Sequence, residues 1–497
     1  MDEPHVEHGD VFAERRDKLA AWRKTGATYP TQYQPRDEIA SLQADYESLE
    51  SGQDSPDVRR IAGRVVARRV HGKLTFVVLK DLSGELQLFC QLNALGEERY
   101  TALEHVDLGD FVGAEGTMMR TRRGELSLRV TSWQLLSKSL RPMPEKYHGL
   151  TSVETRYRKR YLDLAANDDS RAVFIKRAKI IAAIRRFLDD RGFVEVETPV
   201  LQPLYGGALA KPFITHHNEL ERDLYLRIAT ELYLKRCIIG GIDRVYELGK
   251  DFRNEGVSYK HNPEFTMLET YEAYVDYNHV MTMVEEMTAE AARAVGGLMV
   301  TFREHEIDLT PPWPRLTMRK AIENETGIDI GADDARTVGD LQDAIKAKGL
   351  DDVVPLAPAW GAQVDDLFSE CVEPKLIQPV FITEHPLETS PFAKKTPHDP
   401  RFVERFEGFI AGMELSNAFS ELNDPDDQRE RFVQQMQDLA DGDETAHRLD
   451  EDFLEAMEHG MPPTGGLGMG IDRLVMILTG APSIRDVILF PALRSQD

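Results

Sequence analysis

The stretch Val245-Tyr-Glu-Leu-Gly-Lys-Asp-Phe-Arg-Asn-Glu-Gly256, followed by Lys260-His-Asn-Pro-Glu-Phe-Thr-Met-Leu-Glu-Thr-Tyr271, limits more than any other what this chain can fold into. Two β-rich runs flank a polar, glycine-containing loop, which reads as strand, loop and returning strand of an antiparallel sheet. Side chains alternate faces along a strand, so Phe265, Met267, Glu269 and Tyr271 share one surface. Arg253 falls at the loop edge, where a guanidinium can hold a phosphate through two parallel hydrogen bonds. Each residue also has an ordinary explanation: a strand phenylalanine is usually core, and an arginine near a glutamate is often a surface pair.

The remaining pattern predicts an α+β protein of several domains. The 497 residues exceed one ordinary core. Residues 12–26 read as a helix stopped by Gly26, and Tyr29 to Pro35 as loop, so residues 1–57 form a helical leader. Over residues 58–140, short β-rich runs separated by Gly72, Ser83-Gly84 and Gly124 predict a five-stranded barrel, for which the oligonucleotide-binding (OB) fold is the common case. The two prolines of Leu140–Lys146 mark a linker over residues 141–168. Residues 169–497 mix long helical runs with strand-like segments such as Arg244–Leu248 and Phe406–Leu415, which predicts antiparallel α+β structure. Within them, residues 300–375 read as a loop-rich insert with little motif information.

Composition excludes several classes of function. Cys90, Cys237 and Cys371 lie far apart, without a CxxC or a nearby histidine pair, so neither a disulfide framework nor a zinc site is expected. The start Met1-Asp2-Glu3-Pro4 is acidic where a signal peptide is basic, and no apolar run approaches the roughly 18 residues of a membrane span. A cytoplasmic protein without membrane contact is the expectation. A net charge of −25 repels phosphate globally, so RNA binding must be local. Two basic clusters offer such a locality: Arg59, Arg60, Arg64, Arg68, Arg69, Lys73 and Lys80, and Arg156, Arg158, Lys159 and Arg160. Solvated basic faces are the plainer reading of both.

Phe406-Glu-Gly-Phe-Ile-Ala-Gly-Met-Glu-Leu415 reads as a hairpin turning at Ala411-Gly412. Phe409 then faces Glu414, and Glu407 lies diagonally across from Glu414 on the same face, close enough for two carboxylates to share magnesium. Acids exposed on an edge strand are the alternative. Farther on, Asn417, Phe419 and Glu421 share a face by alternation, but Glu414 has the other parity, so a bulge near Leu415–Ser416 is predicted if all four face one site.

The Val245–Tyr271 stretch resembles motif 2 of the class II aminoacyl-tRNA synthetases. Phe187-Leu-Asp-Asp-Arg-Gly-Phe-Val-Glu-Val-Glu-Thr-Pro199 is similar to motif 1, and Gly465-Gly-Leu-Gly-Met-Gly-Ile-Asp-Arg473 to motif 3. The resemblance implies an antiparallel-sheet catalytic domain, a homodimer built through motif 1, and ATP and magnesium as reaction partners. It further implies that Arg253 and Arg473 are catalytic, that Glu255, His261, Asn262 and Phe265 join them around ATP with Phe265 and Arg473 on opposite sides of adenine, and that Glu407 and Glu414 bind the metal.

The segments from Gly206-Gly207 to His217, Arg227 to Lys235 and Ser416 to Glu421 resemble the lysyl-tRNA synthetases within this class. That resemblance implies L-lysine and tRNA(Lys) as substrates, with Gly207, Glu231, Glu269, Tyr271, Asn417, Phe419 and Glu421 around lysine, and Glu421 and Tyr271 on its ε-ammonium. It makes the barrel an anticodon reader through Arg69, Phe76, Gln87 and Glu125. Thr230, where relatives often carry proline, and Tyr205 before the glycine pair depart from the pattern. Competing readings are a ligase that attaches lysine to a protein such as elongation factor P, an aspartyl or asparaginyl enzyme, and a non-catalytic RNA-binding relative. A ligase of the elongation-factor type lacks the barrel, and a pocket for aspartate needs a cation where Glu421 stands.

Overall fold

The computed structural model describes residues 8–25, 29–144, 150, 152–208, 210–440 and 449–494; Gly26 and most of the proline linker's downstream part lie outside them. Two compact units emerge, one reaching Arg156 and including Tyr161–Asn167, the other comprising Tyr157–Arg160 and the chain from Asp168 onward.

In the first unit, the β-branched and aromatic runs form the expected strands: β1 (Asp54–His71), β2 (Leu74–Lys80), β3 (Glu85–Gln91), β4 (Phe111–Arg120) and β5 (Leu126–Ser137). They close into a barrel in the order β1-β2-β3-β5-β4, which leaves no open edge. Alternation puts Ile61, Val65, Val77, Leu79, Leu88, Leu128 and Val130 inside. The leader is more integrated than its composition suggests. After α1 (His8–Lys24) comes a second helix, α2 (Ile39–Asp45), whose Ile39 and Leu42 belong to the barrel core, and Arg15 donates to the carbonyls of Leu108, Ser139 and Arg141. Short helical segments of the leader are therefore part of the barrel's packing.

In the second unit, eight strands among the described residues form one sheet. They are β6 (Val194–Glu195), β7 (Arg244–Phe252), β8 (Glu264–Ala273), β9 (Arg315–Thr317), β10 (Val380–Pro386), β11 (Phe402–Ile410), β12 (Met413–Ser420) and β13 (Thr464–Gly470), in the order β9-β10-β11-β12-β13-β8-β7-β6. Pairing is antiparallel except at the two ends, β9 with β10 and β6 with β7. One face carries Tyr246, Leu268, Phe406, Ala418 and Leu467 into a core shared with α3 (Asp168–Asp189), α5 (Tyr277–Arg293) and α6 (Ile471–Thr479), while α4 (Glu231–Ile239) lies between β6 and β7 in sequence. The opposite parity faces a cleft.

Two expectations need correction. The insert is helical rather than loop-rich: Met318–Thr326, Val338–Ala347 and Trp360–Cys371 pack Ile322, Leu341, Ile345, Val364 and Leu367 into a core completed by Val380 and Ile382 of β10 and Phe402 and Phe409 of β11. The cluster at Arg156–Arg160 is a basic face only in part, through the exposed Lys159. Arg160 is fully buried and donates to the carbonyls of Arg485, Ile488 and Leu489, while Arg156 pairs with Asp163. Charge density along a sequence does not distinguish a guanidinium that satisfies carbonyls inside from one that meets solvent.

Candidate active site

The cleft floor is the polar face of β11, β12, β13 and β8, enclosing a cavity of about 440 Å³. Register explains how one surface gathers these residues. Tyr271 and Phe419 flank Gly466 on either side of β13, and Glu269 and Asn417 flank Gly468. A Cβ on Gly466 would overlap Glu421 Oε1 and crowd the Tyr271 ring, so this glycine leaves the room the larger side chains need. The turn at Ala411-Gly412 and the pairing of Phe409 with Glu414 are as the sequence predicts. The register then slips between Gly408 and Phe409, so Leu415 is the extra residue of a bulge and Glu414, Asn417, Phe419 and Glu421 all line the cavity.

One end of the cleft is cationic and open. Arg253 donates toward the Ile228 carbonyl at 3.5 Å and sits 5.1 Å above the Phe265 ring. From the far side, Arg473 donates to the Glu414 carbonyl at 2.5 Å and approaches Glu414 Oε2 at 3.3 Å. Its other nitrogen lies 3.3 Å from His261 Nε2, and Ser258 Oγ is 2.9 Å from His261 Nδ1. Burial, Arg473 and Lys260 lower the His261 pKa, which keeps the ring neutral and able to accept from Arg473. Glu255 is exposed on the loop rim. Asn262 also borders the cleft, but its side chain is buried and committed: Nδ2 donates to the Glu264 carbonyl and Oδ1 accepts from the Ala492 amide. The structure gives Asn262 the work of pinning the loop.

The other end is anionic and closed. Glu231, Glu269, Tyr271 and Glu421 are all at most 5% exposed. Gly207, with φ of 87°, brings its backbone against Glu231, where a side chain would crowd both Ala229 and Glu231. Glu269 accepts from the Thr230 amide at 3.1 Å, a bond that proline at this position cannot make. Tyr271 donates to Glu269 at 3.4 Å. Burial, then the neighbouring acids Asp251 and Glu231, push the Glu269 carboxyl up to about 8. Burial also raises Glu421 well above the usual range, against the opposing pull of Lys235 and with the help of Glu231 and Glu269.

Lys235 was not singled out in the sequence, yet it sits at the centre of this end. Its fully buried ammonium is 2.5 Å from Glu231 Oε1 and also pairs with Glu421 Oε2. Glu231 and Lys235 are four residues apart on α4, the spacing that brings helical side chains together, so the pair was visible in principle. The partner Glu421 was not, because it arrives from the end of β12. Phe392 and Arg405 are two further residues of the cavity wall that motif reasoning passed over.

Glu407 and Glu414 both line the cavity from adjacent strands. Glu407 accepts from Arg405 at 2.5 Å, and Arg405 also holds Asn417 and Ser390. Burial raises the Glu407 carboxyl to about 8; Arg405 opposes this, while Glu414, Asp365 and Glu373 add to it. Among the described residues no group of three or more acid, histidine or cysteine side chains forms a metal cluster. Two carboxylates that line one cavity and repel each other enough for Glu414 to help raise Glu407 fit magnesium, which takes oxygen ligands from one or two carboxylates and completes its shell with water and substrate phosphate.

On the barrel, Arg69 and Phe76 are paired across β1 and β2, Arg69 donates to Gln87 at 3.3 Å, and Gln87 donates to Ser127. Ser127 in turn donates to the Glu125 carbonyl, which places all four expected residues in one neighbourhood. Phe89 meets the Phe76 ring edge-on at 5.6 Å, adding a second aromatic. Much of the basic run is engaged within the unit: Arg59 with Tyr46 and Asp37, Arg60 over the Tyr33 ring, Arg64 with the Gly109 carbonyl, and Lys80 with Glu85.

Comparison with known proteins agrees with this geometry. Residues 152–494 match the family described as tRNA synthetases class II (D, K and N), and residues 60–136 match an OB-fold nucleic acid binding domain. The chain is 52% identical over 491 residues to a lysine–tRNA ligase of Dehalococcoides mccartyi, covering 98% of this chain and 97% of that one. It is 52% identical to that of Moorella thermoacetica, with 98% of each chain covered, and 51% identical to that of Chloroflexus aurantiacus, with 99% of each covered. Glycine-floored sheet, paired arginines, buried acids and end-to-end similarity lead to one assignment: the chain belongs to the lysine–tRNA ligases of the class II tRNA synthetase family.

Proposed function

We propose that this protein activates L-lysine with ATP to lysyl-adenylate and pyrophosphate, then transfers the lysyl group to the 3′ end of tRNA(Lys). The observation that carries the reading is the polarity of the cleft, with arginines at one end and buried acids at the other, in a chain about half identical to lysine–tRNA ligases over its whole length. Attack of the lysine carboxylate on the α-phosphate requires no protein nucleophile. Catalysis rests on position and on charge stabilisation. Arg253 holds the α-phosphate beside Phe265, which stacks on adenine, and Arg473 closes the opposite side with neutral His261 supporting it. Glu255 marks the loop rim over the nucleotide. Glu421 and Tyr271 receive the ε-ammonium, Glu231 and Asn417 the head group or its neighbouring atoms, while Gly207, Glu269 and Phe419 complete the pocket.

Glu407 and Glu414 are the residues that would hold magnesium, and a bound ion there supplies positive charge to the phosphates. Arg405, beside Glu407 in the cavity wall, keeps it oriented. Arg69, Phe76, Gln87 and Glu125 read the anticodon by stacking and base-edge hydrogen bonds. A homodimer through the Phe187–Pro199 region and a cytoplasmic location complete the reading. Among the described residues, no helix is long and apolar enough to cross a membrane.

The test is charging of tRNA(Lys) by purified protein. Stacking on an aromatic contributes about 1–3 kcal/mol per base, so Phe76→Ala lowers charging roughly 5- to 150-fold while lysine-dependent pyrophosphate exchange stays within about twofold. Equal loss of both activities would show the barrel to be structural only.

A further inference from the structure

The amino-acid end of the cleft contains a positive charge of its own, although its acids are there to meet those of the substrate. Lysine brings its own ammonium groups, yet the protein buries one already. Lys235 is fully enclosed, bridging Glu231 and Glu421, with its Nζ 4.8 Å from the centre of the Phe392 ring and 5.5 Å from that of Phe419. It stands behind the cavity wall rather than in it, since the cavity is lined by both acids and both rings but not by Lys235. Its pairing takes up Glu421 Oε2 and Glu231 Oε1, while Glu421 Oε1 is aimed at the space that Gly466 leaves free.

We propose that Lys235 is a positioning and specificity residue: it turns Glu421 toward the substrate and sets the pocket's charge to match an amino acid with two ammonium groups. Three carboxylates, Glu231, Glu269 and Glu421, against one resident ammonium leave two negative charges when all are ionised. Lysine supplies two positive ones, its carboxylate being directed to the arginine end. An amino acid with an uncharged side chain supplies one and leaves a buried negative charge without a partner, which is strongly unfavourable. This inference rests on the lysine reading of the same pocket.

The charged and titratable groups around this set are few. On α4 they are Glu231 and Lys235; on β8, Glu269 and Tyr271; at the end of β12, Glu421; and on β7, Asp251, which lies beside Arg227 and is also acted on by Arg253. The β13 glycines and Phe392 bring none. Lys235 opposes the upward shift of both Glu231 and Glu421, so removing it makes both acids harder to ionise.

The experiment is lysine- and ATP-dependence of pyrophosphate exchange, measured from pH 6 to 9 on wild-type protein, Lys235→Met and the double variant Lys235→Met/Glu231→Gln. Breaking a buried charge pair on one side raises the lysine KM of Lys235→Met about 30-fold or more, while the ATP KM stays within about twofold. The acid limb of kcat/KM for lysine moves to higher pH, which loss of packing alone would not produce. Removing Glu231's charge together with the ammonium restores two net negative charges, so the double variant binds lysine about fivefold or more tightly than Lys235→Met. A lysine KM for Lys235→Met within about twofold of wild type, an unmoved acid limb, or a double variant weaker than Lys235→Met would overturn the proposal. Should Lys235→Met fail to fold, the charge-balanced double variant decides alone: retained lysine-dependent exchange supports the proposal, and its loss in a folded protein contradicts it. Absence of lysine-dependent exchange in the wild-type protein would instead reject the underlying reading of the pocket.

Discussion

The two ends of the cleft share one sheet but solve opposite problems. At the arginine end, Arg473 is 20% exposed and Glu414 38%, and the side chains hold one another through a few hydrogen bonds at the rim. At the acid end, Lys235 and Glu421 have no exposed side-chain surface, and three carboxylates crowd together against their mutual repulsion. Charges at an open rim are cheap to place and contribute where a phosphate arrives. Charges in a closed pocket are destabilised until a complementary ligand enters, so selectivity concentrates there. The comparison teaches that nucleotide chemistry and amino-acid choice are separable in this molecule.

Substitutions should therefore divide cleanly. The largest effect is expected from Arg253→Ala, which removes charge stabilisation at the phosphate and lowers kcat of adenylate formation about 10²- to 10³-fold with little change in lysine KM, by steady-state exchange kinetics. Next comes Glu421→Gln, which leaves the ε-ammonium without its counter-charge: lysine KM rises roughly 30-fold or more while ATP KM is spared. An equal rise in both constants would dissolve the distinction between the two ends.

A pH series sharpens it further. With Glu269 held up to about 8, this carboxyl is largely protonated near neutral pH, and its negative charge becomes available to an ammonium only after that proton leaves. Lysine KM accordingly falls as pH rises from about 6.5 to 8, by at most about tenfold per pH unit for each proton released. Glu407, pushed up to about 8, also ionises over this range, so the lysine KM trend is measured at saturating ATP and magnesium. The smallest effect is assigned to Thr230→Pro, which deletes the amide that donates to Glu269. One hydrogen bond to a carboxyl that is mostly protonated changes lysine KM about threefold, and Thr230→Ala, which keeps the amide, changes it less.

How much of this was legible beforehand follows the same division. Strand alternation placed Phe265, Met267, Glu269 and Tyr271 on one face, and a parity conflict at Glu414 and Asn417 required the bulge at Leu415. Glycine turns marked five barrel strands that do close on themselves. These are local regularities with short periods. What escaped was long-range: α2 packing into the barrel, Arg160 reaching carbonyls at the far end of the chain, Asn262 pinned by Ala492, and Lys235 meeting Glu421 across 186 residues of sequence. The helices of the insert were missed for a different reason, since they carry core residues without any motif. Besides carrying Arg473, motif 3 opens space at Gly466 beside Glu421 and Tyr271, a use that its glycine pattern alone does not reveal.

The most direct test of the central claim, that a buried acidic pocket selects lysine for attack on ATP, is pyrophosphate exchange with each standard amino acid in turn, without tRNA, on purified full-length protein. The account predicts exchange that depends on lysine and on no other standard amino acid. Exchange supported equally by aspartate or asparagine would contradict it, because neither could leave Glu231, Glu269 and Glu421 compensated.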